Sequence, residues 1–170
     1  MINLDYNDLL GLNTIIPTTK GYKTIKTITV GDIIFGLDNK LSKVIAVYDI
    51  IKTSKTYKLV FSNSFYEFTI VSDEIHSFPV ITRLRTNIND ISFFKPVTCK
   101  DLSIGDAIFG GNRDFILTKK TKIKSQPIKC ITIDSNEHIF KIVNEINPSW
   151  TGGTDFNLPS LYMYDIDDNM

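Results

Sequence analysis

Cysteine is nearly absent from this chain: its 170 residues include two, Cys99 and Cys130. Two thiols cannot staple a disulfide scaffold, and they lack the close spacing of a metal knuckle. A single disulfide between them is compatible with the count, but free thiols in a reducing compartment fit it better. A net charge is also absent, since 19 basic and 19 acidic side chains cancel. The chain therefore carries no global field to recruit nucleic acid or an anionic membrane. No apolar run approaches the roughly 18 residues of a membrane span. The N-terminus MINLDYNDLL places acids where a signal peptide needs bases before an apolar stretch. The expectation is an intracellular, soluble protein with no nucleic-acid and no membrane partner. Helical periodicity with caps is missing too, apart from a faint trace at Tyr6 to Leu10.

What remains is β-propensity. Lys43 to Ile51, Thr56 to Phe61, Phe65 to Val71, Ala107 to Gly110 and Ile128 to Ile133 are rich in Ile, Val, Phe, Tyr and Thr. Turn residues such as Ser62-Asn63 and Leu37-Asp38-Asn39 punctuate them, so the expected fold class is all-β. The run Lys119 to Lys129, KKTKIKSQPIK, reads as a solvated loop or an edge strand guarded by lysines.

The segment Lys26 to Gly36, KTITVGDIIFG, returns at Lys100 to Gly110 as KDLSIGDAIFG, with six of eleven positions identical. Ser54 to Val60 returns in the same order at Ser125 to Ile131. Tandem solenoids need about three or more units, so two long copies predict one compact domain duplicated about a pseudo-twofold axis. Its expected bounds are 11–150, with a flank at 1–10. A Gly-, Asp- and Asn-rich extended tail at 151–170 is a possible protein-docking segment.

Three stretches carry a family resemblance. Thr14 to Asp32, TIIPTTKGYKTIKTITVGD, resembles the opening of a Hint domain, the fold shared by inteins and hedgehog autoprocessing domains. Val71 to Phe78, VSDEIHSF, resembles the intein block B motif in the variant with Asp three positions before His. Ile128 to Ile142, IKCITIDSNEHIFKI, resembles block F. The resemblance covers about Leu10 to Trp150, and it implies a Hint fold and an acyl shift at a peptide bond of the chain's own flanks, single-turnover and without a cofactor. Most inteins begin with Cys or Ser, which this chain lacks near Asp8 to Asn13. One subclass lacks it too and uses a Cys in block F, where Cys130 stands. By resemblance Cys130 is the nucleophile, His76 protonates the leaving nitrogen, Asp73 orients His76, and His138 matches the histidine that assists C-terminal cleavage.

The departures bear on function. Inteins end in His-Asn followed by Cys, Ser or Thr, whereas the stretch here reads Ile146-Asn147-Pro148-Ser149-Trp150-Thr151-Gly152. The same subclass carries Trp two residues after the block B histidine, where this chain has Phe78. Full splicing is therefore expected to be impaired. The alternative is a degenerate Hint domain kept as a structural or binding module, and a third reading is an unrelated β-rich binding protein. The Ile, Asn, Lys and Asp usage suits an AT-rich genome such as a large virus or phage, with the virion as a location. Bland roles stand beside the chemical ones: Asp73 as a turn cap, Cys130 as a small buried hydrophobe, His76 as a satisfied structural histidine. Cys99, Cys130, His76 and His138 sum to a two-Cys, two-His set without zinc spacing, which argues against metal.

Overall fold

The computed structural model describes residues 10–52, 55–110, 113–143 and 160–165. In chain order its strands are β1 (Leu10–Gly11), β2 (Ile15–Thr18), β3 (Gly21–Thr24), β4 (Ile33–Phe35), β5 (Leu41–Val47), β6 (Ile51–Lys52), β7 (Thr56–Ser62) and β8 (Glu67–Asp73). They continue with β9 (Ser77–Ile81), β10 (Phe94–Thr98), β11 (Ala107–Ile108), β12 (Phe115–Ile123), β13 (Pro127–Lys129), β14 (Ile131–Ile133), β15 (Ile139–Val143) and β16 (Ser160–Tyr164). Two 3-10 turns, Leu37–Asn39 and Cys99–Asp101, are the only helical elements among the described residues. The faint helical trace at Tyr6 to Leu10 lies outside them except for Leu10, which is strand.

Period-two alternation accounts for the half-buried strands. In β8, Phe68, Ile70 and Ser72 point inward while Glu67 and Thr69 face water. By contrast, β14 and β15 are buried along their whole length, as their near-continuous Ile, Phe and Val content requires. Phe68 meets Phe115 edge-on at 5.8 Å and Phe61 lies 5.7 Å from Phe78, which joins the two halves of the sequence in one core.

The strands form a nine-stranded sheet, ordered β10-β9-β11-β12-β7-β8-β1-β13-β6, and a seven-stranded one that includes β14-β5-β4-β2-β15-β16 with β3 against β2. The predicted duplication is present as geometry. Gly31 and Gly105 adopt φ of 98° and 99°, a left-handed turn that favours glycine. Their N–H groups donate to Val44 and Leu117, both at 2.9 Å. Asp32 and Asp106 then accept, through Oδ2, the N–H of Thr29 at 2.9 Å and of Ser103 at 2.8 Å.

The downstream unit repeats with one correction. Sequence alignment places Leu59 on Cys130, but Leu59 pairs with Lys120 whereas Ile131 pairs with Val47, the equivalent of Lys120. Leu59 therefore corresponds to Ile131. Both copies carry a β-bulge at the same place, skipping Ile45 in one and Thr118 in the other, so the bulge is part of the repeat and the slip is a one-residue error of the sequence alignment.

Two further expectations meet the structure differently. Lys119–Ile123 pairs with β7 on one side, while β11 reaches only Phe115 and Ile116 on the other, so this stretch is the lysine-bearing edge that was expected. Residues 160–165, expected within an extended tail, instead contribute β16, whose Leu161, Tyr162 and Met163 are buried. This strand pairs with β15 and bridges Gly110, tying the two halves together. The expected terminal stretch around Asn147 and Trp150 lies outside the described residues.

Candidate active site

Strand β1 is two residues long, and its neighbours define the site. Leu10 pairs with Ser72 of β8 on one side and with Lys129 of β13 on the other; Gly11 pairs with Ile128. The backbone entering the domain is thus threaded between the strand that ends at Asp73 and the strand that ends one residue before Cys130. Glycine makes this approach possible, because a Cβ on residue 11 would stand 2.9 Å from Val71 Cβ. A cleft of about 130 Å³ runs beside β1, lined by Gly11, Asn13, Thr14, Val71, Gln126 and Val143 among others.

His76 lies in the turn between β8 and β9 and is fully buried. Asp73 Oδ1 accepts the backbone N–H of His76 at 2.8 Å, and the His76 carbonyl accepts Cys99 N–H at 2.8 Å. Asp73 therefore caps the turn and, through that same bond, fixes where His76 stands. The imidazole packs edge-on against Phe78 with centroids 4.8 Å apart, so Phe78 forms the wall of its pocket. Thr14 holds the pseudo-equivalent place, since its carbonyl accepts Ile25 N–H at 2.8 Å and its hydroxyl donates to Gly11 O at 2.7 Å. The pseudo-dyad consequently passes through the Leu10–Ser72 pair.

Cys130 sits where the chain leaves β13 and enters β14, crossing from one sheet to the other. It is 1% exposed, packs with Ile128, Tyr48 and Ile51, and its carbonyl accepts Tyr48 N–H at 3.3 Å. Cys130 and His76 follow strands that are not neighbours, since β1 intervenes between β8 and β13. The inserted strand uses the hydrogen-bonding edges of both neighbours, so Leu10 separates β8 from β13.

Cys99 is the unsuitable thiol. Desolvation pushes its pKa up to about 11, against partial offsets from Lys120 and a hydrogen bond with Ser72, so it stays protonated near neutrality. It fills the core position that Ile25 fills in the other half.

His138 belongs to a separate constellation. Its φ of 55° is left-handed, and its Nδ1 lies 3.0 Å from Asp165 Oδ1. Asp165 Oδ2 also accepts Ile133 N–H at 2.7 Å, and Asp165 N–H donates to the His138 carbonyl at 2.9 Å. Ile133 stands three residues beyond Cys130, about 10 Å of strand. Sequence reasoning missed Asp165, although the apolar run Leu161 to Tyr164 ending in an acid was a readable signal. No three His, Cys, Asp or Glu side chains converge as a metal site among the described residues.

The duplicated sheets, the exchange of strands between halves and the entry strand at the dyad define a Hint fold, the fold of inteins. Among solved structures, the Msm DnaB1 intein splicing domain, bound with zinc, matches with a TM-score of 0.63 and 24% identity over 78% of this chain and 92% of that one. The MchDnaB-1 intein gives 0.63 at 23% identity over 89% and 98%. An Ssp DnaB mini-intein variant gives 0.66 at 14% identity over 98% and 99%. The replicative DNA helicase DnaB of Mycobacterium leprae (strain TN) is 22% identical over 153 residues, 77% of this chain. The chain spans 22% of that helicase's length. No protein-family model matches the sequence.

Proposed function

We propose that this chain is an intein-like autoprocessing domain in which Cys130 attacks the carbonyl at the N-terminal edge of β1. Cys130 Sγ bonds to the carbonyl carbon and the C–N bond to the following residue breaks. His76 gives a proton to the departing nitrogen and the thiol proton replaces it, so no net proton is exchanged. The upstream segment is left as a thioester on Cys130, open to water or an added thiol. The observation that supports this reading is the threading of Leu10 between Ser72, four residues before His76, and Lys129, next to Cys130.

The C-terminal step is silent in this reading. The side chain facing His138 is Asp165, a carboxylate with no amide nitrogen to cyclise onto its own carbonyl. A second reading, a degenerate Hint module retained for structure or binding, draws support from that carboxylate and from the near-complete burial of Cys130.

The test uses the full chain with a tag at each end and intact-mass readout. Dithiothreitol is expected to release the N-terminal tag and leave the C-terminal one attached, and Cys130→Ala is expected to block the release. A chain inert under all conditions transfers the weight to the degenerate module. Ligation of the two tags refutes impaired splicing.

A further inference from the structure

The two halves differ at one place where their symmetry makes the difference informative. In the first half Lys23 on β3 reaches across the Gly31 turn, and its Nζ meets Asp32 Oδ1 at 2.9 Å and Oδ2 at 2.8 Å. Lys23 pairs with Ile16 just as Val97 on β10 pairs with Phe78, so Val97 is its structural counterpart. Asp106 is the counterpart of Asp32, down to the backbone N–H it accepts from Ser103. The second half thus keeps the carboxylate and has valine where the first half has the lysine that pairs with it.

A groove of about 490 Å³ lies at that place, lined by Val80, Lys95, Val97, Thr98, Asp101 and Asp106 among others. Asp101 accepts the Thr98 hydroxyl at 3.2 Å. Neither Asp101 nor Asp106 forms an ion pair among the described residues. Two carboxylates flank an apolar floor of Val80 and Val97, which matches an alkyl chain that ends in a cation.

We propose that this groove is a docking site for a lysine side chain of a partner polypeptide, which takes the place that Lys23 fills from within the chain in the other half. Complementarity favours lysine, because the symmetric site shows an ammonium seated on the same carboxylate in the same turn. The site lies on the outer strands β9 and β10, away from β1, so the inference does not rest on the autoprocessing chemistry.

The test is a titration of the full chain with N-acetyl-lysine-methylamide and its norleucine analogue, followed by amide shifts of Ser103 and Asp106. The lysine compound is expected to give saturable shifts in the millimolar range, and the norleucine compound none. Asp106→Asn, which can still accept the Ser103 N–H, is expected to weaken binding about tenfold. Val97→Lys places an ammonium in the groove from within and is expected to abolish binding while shifting the same amides in the free protein. Equal shifts with norleucine, or binding that survives in both variants, overturns the proposal. So does a silent titration with folded protein.

Discussion

Lys141 is the residue whose environment is most at odds with its charge. It is buried, hydrogen-bonds Asn39 Oδ1, and lies 5.5 Å from the Tyr162 ring centroid. Desolvation lowers its pKa to about 8, against a smaller opposing pull from Asp38. The folded state thus prefers neutral Lys141, while the unfolded chain holds its proton up to roughly 10.4. Below about pH 8 the cost of burying the ammonium is fully present; between about 8 and 10.4 the native state releases its proton first, and this contribution to stability rises with pH. Cys99 and Tyr162, pushed up to about 11 and about 12, act in the opposite direction over that range, so the comparison must be between variants. Lys141→Met is expected to be more stable than the parent at pH 7, with the gap closing towards pH 10. Urea midpoints at four pH values check it, and a constant gap would show that the ammonium is not desolvated.

Asp165 supports a second prediction at this scale. If its place opposite His138 is the C-terminal reaction centre, Asp165→Asn supplies the missing amide. Expected is slow cleavage after residue 165, seen as loss of a C-terminal tag by intact mass and abolished by His138→Ala. An uncleaved, folded Asp165→Asn protein would remove that role from the site.

Among the elements, β1 matters most for its size. Gly11→Ala would drive its methyl against Val71, and overpacking of this kind costs about 1–3 kcal/mol. The expected outcome is a lower urea midpoint and slower release of the N-terminal tag, with the release rescued when Val71→Gly removes the Cβ that the new methyl meets. Failure of the rescue would mean that β1 is held by something other than this close packing. The elements also show what was legible in advance. The strands Thr56–Ser62 and Glu67–Asp73 follow from alternation and β-branched content, and the Gly-Asp turns from their repetition. The bulges at Ile45 and Thr118 were invisible, because a bulge changes partners rather than residue types. For β16 the apolar run Leu161 to Tyr164 was a signal, but its Gly-, Asp- and Asn-rich surroundings masked it, and its pairing with β15 could not be read. The sequence named His76, Asp73, Cys130 and His138 as candidates but did not show how they are grouped. Nothing in the spacing shows that β1 passes between β8 and β13, or that His138 looks to Asp165 instead.

For the whole molecule, the pseudo-dyad explains why the entry strand and the site coincide. Leu10 and Ser72 are symmetry mates that pair with each other, so the entry strand lies on the axis itself. Duplication supplies the frame, and the copies differ at the proposed site: His76 stands against Thr14 and Asp73 against Gly11. The central claim is that this asymmetric centre makes a thioester on Cys130. Hydroxylamine tests it most directly, since it converts a thioester into a hydroxamate at the acyl carbon. The account predicts that mass spectrometry of the treated chain finds an N-terminal fragment ending close to Leu9 as a hydroxamate, absent from Cys130→Ala and reduced in His76→Ala. A fragment that forms equally in Cys130→Ala, or a parent chain that stays whole, would contradict it.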